Sequence, residues 1–183
     1  MATRLKTYID WMKSFAVNIP EIGHTENDKH FDIIITKKPD EFGRINVDGF
    51  LANMRTVLSS PIMVAIAYTS QLSDNNSESV FKEQVGEFVL LKKSSGKDIY
   101  SKVTTIGEME AVADKIFAWM QEEAERLVEE GNVNELKLVN FDEVLIDPVE
   151  IKNDTVGVWV RFPFRNMHEK PFEYKPENYT NPL

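Results

Sequence analysis

The chain has 183 residues, with 30 Asp and Glu against 21 Lys and Arg, a formal net charge of −9, and no cysteine. The length fits one domain that can bury about two-thirds of its unfolded surface without covalent staples, and apolar residues at 42% with charged residues at 28% belong to a globular chain rather than a disordered one. Excluded at once are a disulfide framework, a thiolate zinc site, a cysteine nucleophile and the global basic footprint of a nucleic-acid binder.

Residues 1–17 are broken by Arg4, Lys6, Asp10 and Lys13, so they do not read as a signal peptide. No apolar run reaches the roughly 18 residues that a membrane span needs. Leu5, Tyr8, Ile9, Met12, Phe15 and Ala16 recur at spacings of three and four, which predicts an amphipathic helix ended by Asn18 and Pro20. Residues 31–36 hold consecutive isoleucines and read as a short buried strand, followed by a turn at Pro39, Asp40 and Gly43. Val47, Phe50, Leu51, Met54, Val57 and Leu58 then repeat the helical spacing, with Asn46 or Asp48 as N-cap and Pro61 as the stop.

Residues 62–68 are rich in strand formers, and 69–79, a polar stretch with Asp74, Asn75 and Asn76, reads as a loop joining them to an antiparallel strand over 80–91. Within that strand, Gly86 marks a bulge or a close backbone approach. Residues 92–98 form another loop. Thr105 and Glu108 match a capping box, and Met109, Val112, Ala113, Ile116, Phe117, Met120, Ala124, Leu127 and Val128 make one apolar stripe closed by Gly131. A helix of about 25 residues, roughly 37 Å long, is expected to organise the core.

Two more strands are expected over 136–146 and 155–164, linked through Asp147, Pro148, Asn153 and Asp154. In the second, Val156, Val158, Val160, Phe162 and Phe164 alternate with Thr155, Gly157, Trp159 and Arg161, which sets one face to the core. Beyond Arg165, Pro171, Pro176 and Pro182 punctuate a polar segment carrying Phe172, Tyr174 and Tyr179, which reads as an extended arm. The expected fold is α+β: an antiparallel or mixed β-sheet packed by one long helix and two shorter N-terminal helices, as a single domain over 1–165 with a C-terminal arm over 166–183.

Motifs for chemistry fail one by one. His24, His30 and His168 lack ligand spacing and read as surface or loop residues. Asp74, Asn76 and Glu78 imitate a calcium loop, but Ser79 stands where Gly is needed and Val85 where a bidentate Glu belongs. Gly96 and Lys97 lack the rest of a phosphate loop, and neither a nucleophile elbow nor a dinucleotide fingerprint occurs. Carboxylate pairs such as Glu122 and Glu123 suit a solvated helix face, so a small carboxylate hydrolase is the weakest reading. Trp11 and Trp119 read as packing residues. No catalytic residue, metal ligand or cofactor is assigned.

Two features carry more. Residues 105–135 hold nine acids (Glu108, Glu110, Asp114, Glu122, Glu123, Glu125, Glu129, Glu130, Glu135) and two bases (Lys115, Arg126), hence most of the net charge. This is either an ordinary soluble helix exterior or, centred on Glu122, Glu123, Glu125, Glu129 and Glu130, a face that meets a basic partner or repels DNA. Trp159 and Arg161, facing away from the core stripe just before the aromatic arm, have the composition of a protein interface. Either a second element of the same fold covers them, or they join Phe172, Tyr174 and Tyr179 in a subunit contact.

The order of elements resembles the tailed-phage neck proteins, the tail terminator and tail completion family that joins head to tail. The likeness spans about residues 1–165. It is carried by Phe50-Leu51-Ala52-Asn53-Met54-Arg55 leading into Pro61-Ile62-Met63-Val64, by the long helix, by Phe141 and Asp147-Pro148-Val149, and by Asn153-Asp154 before Thr155-Val156-Gly157-Val158. The resemblance implies a non-enzymatic virion protein, assembled in the host cytoplasm into a hexameric or dodecameric ring in contact with other neck, portal or tail proteins. DNA would pass its channel without specific binding, an acidic wall repelling phosphates. The loop with Asp74, Asn75 and Asn76 would meet the next ring. A different class of reading is a cytoplasmic acidic adaptor or immunity-type protein that binds a basic partner through the same helix. Neither involves a membrane or a cofactor.

Overall fold

A computed structural model describes residues 4–34, 60–74, 80–132, 137–151 and 154–166. Among these, helix α1 (Arg4–Asn18) is followed by β1 (Phe31–Ile34), β2 (Ile62–Asp74), β3 (Val80–Lys93), helix α2 (Ile99–Glu129), β4 (Lys137–Val139), a 3-10 turn (Phe141–Glu143), β5 (Leu145–Ile151) and β6 (Thr155–Asn166). The fold is α+β. One of the two expected N-terminal helices is α1; the other, at 47–58, and the arm lie outside the described residues, as do Asn75, Asn76, His168, Phe172, Tyr174 and Tyr179.

The six strands form one mixed sheet in the order β1-β2-β3-β6, with β4 and β5 both on the outer edge of β6. Only the β1–β2 pair is parallel, with Phe31 opposite Met63 and Ile34 opposite Ile66. The other neighbours are antiparallel. Strands β4 and β5 act as one interrupted edge strand, the 3-10 turn being the interruption, and the Asn140 N–H still donates to the Pro163 carbonyl at 2.9 Å.

Both helices pack on one face of this sheet. Tyr8, Trp11, Met12, Phe15 and Ala16 of α1 and Met109, Val112, Ala113, Ile116 and Met120 of α2 meet Met63, Ala65, Phe88, Leu90, Val158, Val160, Phe162 and Phe164. The contacts are largely aromatic: Tyr8 stacks on Phe164 at 5.6 Å, and Phe162 meets Trp11, Phe88 and Phe117 at 6.2, 6.0 and 6.0 Å. Gly86 is what lets Phe162 lie across β3, since a Cβ there would stand 2.5 Å from the ring. It also sits opposite the bulge in β2 between Ile66 and Thr69. At the break the Tyr8 hydroxyl donates to the Glu87 carbonyl and accepts from the Glu87 N–H, each at 3.1 Å, so α1 supplies pairing beside the bulge.

Several boundaries differ from the sequence expectation, each for a local reason. Helix α2 starts two turns earlier than the Thr105 capping box: its N-cap is Asp98, whose carboxylate accepts from the Ser101 N–H at 3.0 Å. Thr105 lies inside the helix and its hydroxyl donates back to the Ser101 carbonyl. With 31 residues the rod is about 46 Å long. The first turn was hidden because Ile99, Tyr100 and Val103 are exposed and do not extend the apolar stripe. Residues 69–74 are strand rather than loop, continuing the ladder until Asp74 pairs Val80. Asp147 and Pro148 belong to β5, opposite Trp159 and Val158. The β5–β6 turn is correspondingly tighter and places Asp154 at φ 60°.

Candidate functional site

The carboxylates of the acidic helix do not stand alike. Trp11 is buried under α2 and its Nε1–H donates to Glu123 Oε2 at 2.7 Å, while the Lys137 ammonium sits 5.0 Å over the same ring. Glu123 is thereby fixed, half-buried, as part of the α1–α2 packing. Glu125 accepts from the Gln121 amide, and Arg126 Nη1 donates to both carboxylate oxygens of Glu130 at 2.7 and 2.8 Å. That guanidinium holds the Glu130 carboxyl below its ordinary value. Glu122 and Glu129 are exposed.

Between the C-terminal halves of the two helices lies an open groove of about 350 Å³ lined by Ser14, Asn18, Trp119, Glu122, Glu123 and Arg126. Trp119, expected as a packing residue, is instead 41% exposed in this groove, whereas Trp11 is in the core. An exposed indole beside two carboxylates and one guanidinium can take a cationic side chain over its face. Elsewhere on α2, Glu108 pairs with Lys92 at 2.8 Å, and Lys115 pairs with Glu21 of the loop after α1.

Trp159 and Arg161 face away from the helices, as the alternation in β6 required, but that face is not open. Trp159 packs against Ile62, Val64, Ile66, Val89 and Leu91. The Arg161 guanidinium lies 4.4 Å over the Trp159 ring, and its Nε stands 4.0 Å from the carboxylate of buried Glu87. Arg161, with 42% of its side chain exposed, is the member of the pair that still reaches the surface. Asp74 closes the β2–β3 ladder rather than standing in a free loop.

One surface was not foreseen. Along the outer edge formed by β4, the 3-10 turn and β5, Leu138, Phe141 and Leu145 are 42%, 45% and 54% exposed, with Phe141 edge-on to Phe117 at 6.0 Å. The same edge carries Asp142, Glu143, Asp147 and Glu150, and Pro148, which supplies no N–H, interrupts it. Charges and a proline discourage indiscriminate strand addition. The signal in the sequence was Phe141 flanked by Asn140 and two acids, where neither strand nor helix periodicity buries an aromatic ring.

His24 and His30 lie in the α1–β1 loop, as one of the two readings had it, but are buried rather than superficial. The His30 N–H donates to His24 Nδ1 at 3.1 Å, His30 Nε2 lies 3.0 Å from Asp28, and His24 packs on Phe31. They brace the α1–β1 loop. Burial, with lesser contributions from Lys13, His30 and Lys29, holds the His24 pKa below its ordinary value. Among the described residues, no group of three or more His, Asp or Glu is placed to hold a metal ion, and no helix is long and apolar enough to cross a membrane. No protein-family model and no curated protein matches the sequence.

Proposed function

We propose that the chain is a non-enzymatic structural subunit of a ring in the head–tail connector or tail-terminator region of a tailed phage. The observation that carries the reading is the set of exposed apolar side chains along one sheet edge: Leu138 and Leu145, opposite Arg165 and Arg161 on the face away from the helices, and Phe141, turned to Phe117 on the helix side. A ring needs head-to-tail contacts, in which one patch of a subunit meets a different patch of the next. This edge supplies one patch, and the exposed first turn of α2, Ile99, Tyr100 and Val103, is a distinct second. The arm, with Phe172, Tyr174 and Tyr179 spaced between prolines, is suited to lie over a neighbour at low ordering cost. The exposed Glu122 and Glu129 would then keep phosphates from adhering.

The test is assembly. Concentrated protein, alone or with neck partners, is expected to give rings of six or twelve subunits in negative stain, as the resemblance implies. Leu138→Ser, Phe141→Ser and Leu145→Ser together are expected to abolish them with the fold intact. Monomers under all these conditions would refute the reading.

The groove at Trp119 favours one other function, an acidic adaptor or immunity-type protein that captures a basic partner. It predicts tight, salt-sensitive binding that Trp119→Ala and Glu122→Gln weaken sharply. Unchanged affinity in both variants rules it out.

A further inference from the structure

The loop between α1 and β1 is closed by one imidazole. The His30 N–H donates to His24 Nδ1 at 3.1 Å, and the His30 carbonyl accepts from the Met63 N–H at 2.9 Å, just ahead of the first β1–β2 pair, Phe31 with Met63. The seam between β1 and β2 therefore begins on a residue that His24 holds in place. His24 is itself anchored to the end of α1, where its N–H donates to the Ala16 carbonyl at 3.0 Å, and its ring lies 5.9 Å from that of Phe31. We propose that this arrangement is an acid-released clasp: a proton on His24 opens residues 24–30 and frees the start of β1 from β2, while the rest of the fold stays closed.

Hydrogen bonding and charge both oppose a proton in the closed loop. A protonated imidazole donates from both nitrogens, so Nδ1 would meet the His30 N–H donor against donor, and that bond is lost. The groups whose field reaches the ring are Lys13 of α1 and Lys29 and His30 of the loop itself, and none of them is a counter-charge. The acids of the loop supply none either. Asp28 is taken by His30 Nε2 at 3.0 Å, Glu21 by Lys115 of α2, and Glu26 is exposed. Phe31, the neighbour from β1, brings no charge.

Released from the loop, the ring titrates as an ordinary histidine with a pKa of about 6.5. The closed form binds fewer protons than the open one, so closure is complete above that value and weakens as the pH falls below it. The opening is local because the other bonds of the segment are internal to it and travel with it. The Thr25 N–H donates to the Asp28 carbonyl and the Asp28 N–H to Thr25 Oγ1, each at 2.9 Å. Gly23, at φ 60°, supplies the bend from which the segment departs. The inference concerns a single chain and does not rest on ring formation.

Hydrogen exchange of the full chain under native conditions, with intrinsic rates divided out, tests this. Between about pH 7.5 and about pH 5.5 the His30 and Met63 amides are expected to lose several-fold in protection, with a ceiling of about tenfold, the limit for one proton about one unit below its ordinary pKa. Their exchange is expected to be insensitive to dilute urea, as a local opening that exposes little surface is, while that of Ile116 in α2 rises with urea. His24→Asn keeps an acceptor oxygen near the place of Nδ1 and cannot take the proton, so it is expected to abolish the pH response. Lys13→Gln removes a cation that faces the ring and is expected to weaken it. A response of wild-type size in His24→Asn, or in Lys13→Gln should the first variant not fold, would overturn the proposal. So would no response in the unaltered chain, or one carried only by urea-sensitive unfolding of the whole.

Discussion

On the helix side of the sheet, Phe88, Phe162 and Phe164 meet Tyr8, Trp11 and Phe15 in a continuous set of rings, while the other side is aliphatic: Ile62, Val64, Ile66, Val89 and Leu91, with Trp159 at its margin. Both are equally dry. They differ in what covers them and in tolerance of charge. The helix side is covered by α1 and α2, whose Tyr8, Trp11, Phe15 and Phe117 meet the rings of the sheet. The aliphatic side admits one carboxylate, Glu87, with Arg161 nearby.

Truncating the aromatic face is expected to cost most. Phe162→Ala removes a fully buried ring that touches Trp11, Phe88, Phe117 and Phe164 and should lower stability by about 3–5 kcal/mol, read from urea unfolding. Next comes Gly157→Ala, on the other face. Its Cβ would stand 1.8 Å from the Leu90 carbonyl oxygen, so the backbone of β3 and β6 must part, at about 1–3 kcal/mol. A smaller change sharpens the comparison: Ile66→Val should cost about 0.5–1.5 kcal/mol if the aliphatic face is packed in the free chain. A cost near zero would mean that this face is loosely covered.

The mildest effect is in acid. His24 is held below its ordinary pKa and uses Nδ1 as an acceptor, so the folded chain binds fewer protons there than the unfolded one. Its contribution is present above about pH 6.5, the ordinary histidine value, and is lost as the pH falls below that. His24→Gln should flatten this part of the stability profile; an unchanged profile would remove His24 as its source.

Much of this was legible from the residues. The strict alternation of β6 fixed which side Phe162 takes, and the stripe from Met109 to Leu127 fixed the buried side of α2. Gly86 was readable as marking a bulge or a close backbone approach; it lies opposite the bulge, which is in β2, and what approaches it is the Phe162 ring rather than backbone. The second buried face also had a trace: β2 opens with the unbroken apolar run Ile62-Met63-Val64-Ala65-Ile66, which a strand with one wet face does not need. Other features were not readable locally. Ser70 and Gln71 look like loop residues, and only their pairing with Gln84 and Glu83 makes them strand. The start of α2 at Asp98 does not extend the apolar stripe because Ile99, Tyr100 and Val103 there are exposed. The acidic helix reads as one charged face, but Trp11 and Arg126 divide it into fixed and free carboxylates from positions distant or intermixed in sequence.

The claim that both faces are closed within one chain is tested most directly by thiol protection. Met63→Cys and Val64→Cys each place a single thiol on adjacent residues of β2, one per face, in a chain that has no other. At concentrations low enough to keep the protein monomeric, both are predicted to react with a small maleimide at the same slow rate, set by opening of the fold. Rapid labelling of Val64→Cys alone, slowing as concentration rises, would contradict the account and make the aliphatic face a contact between subunits.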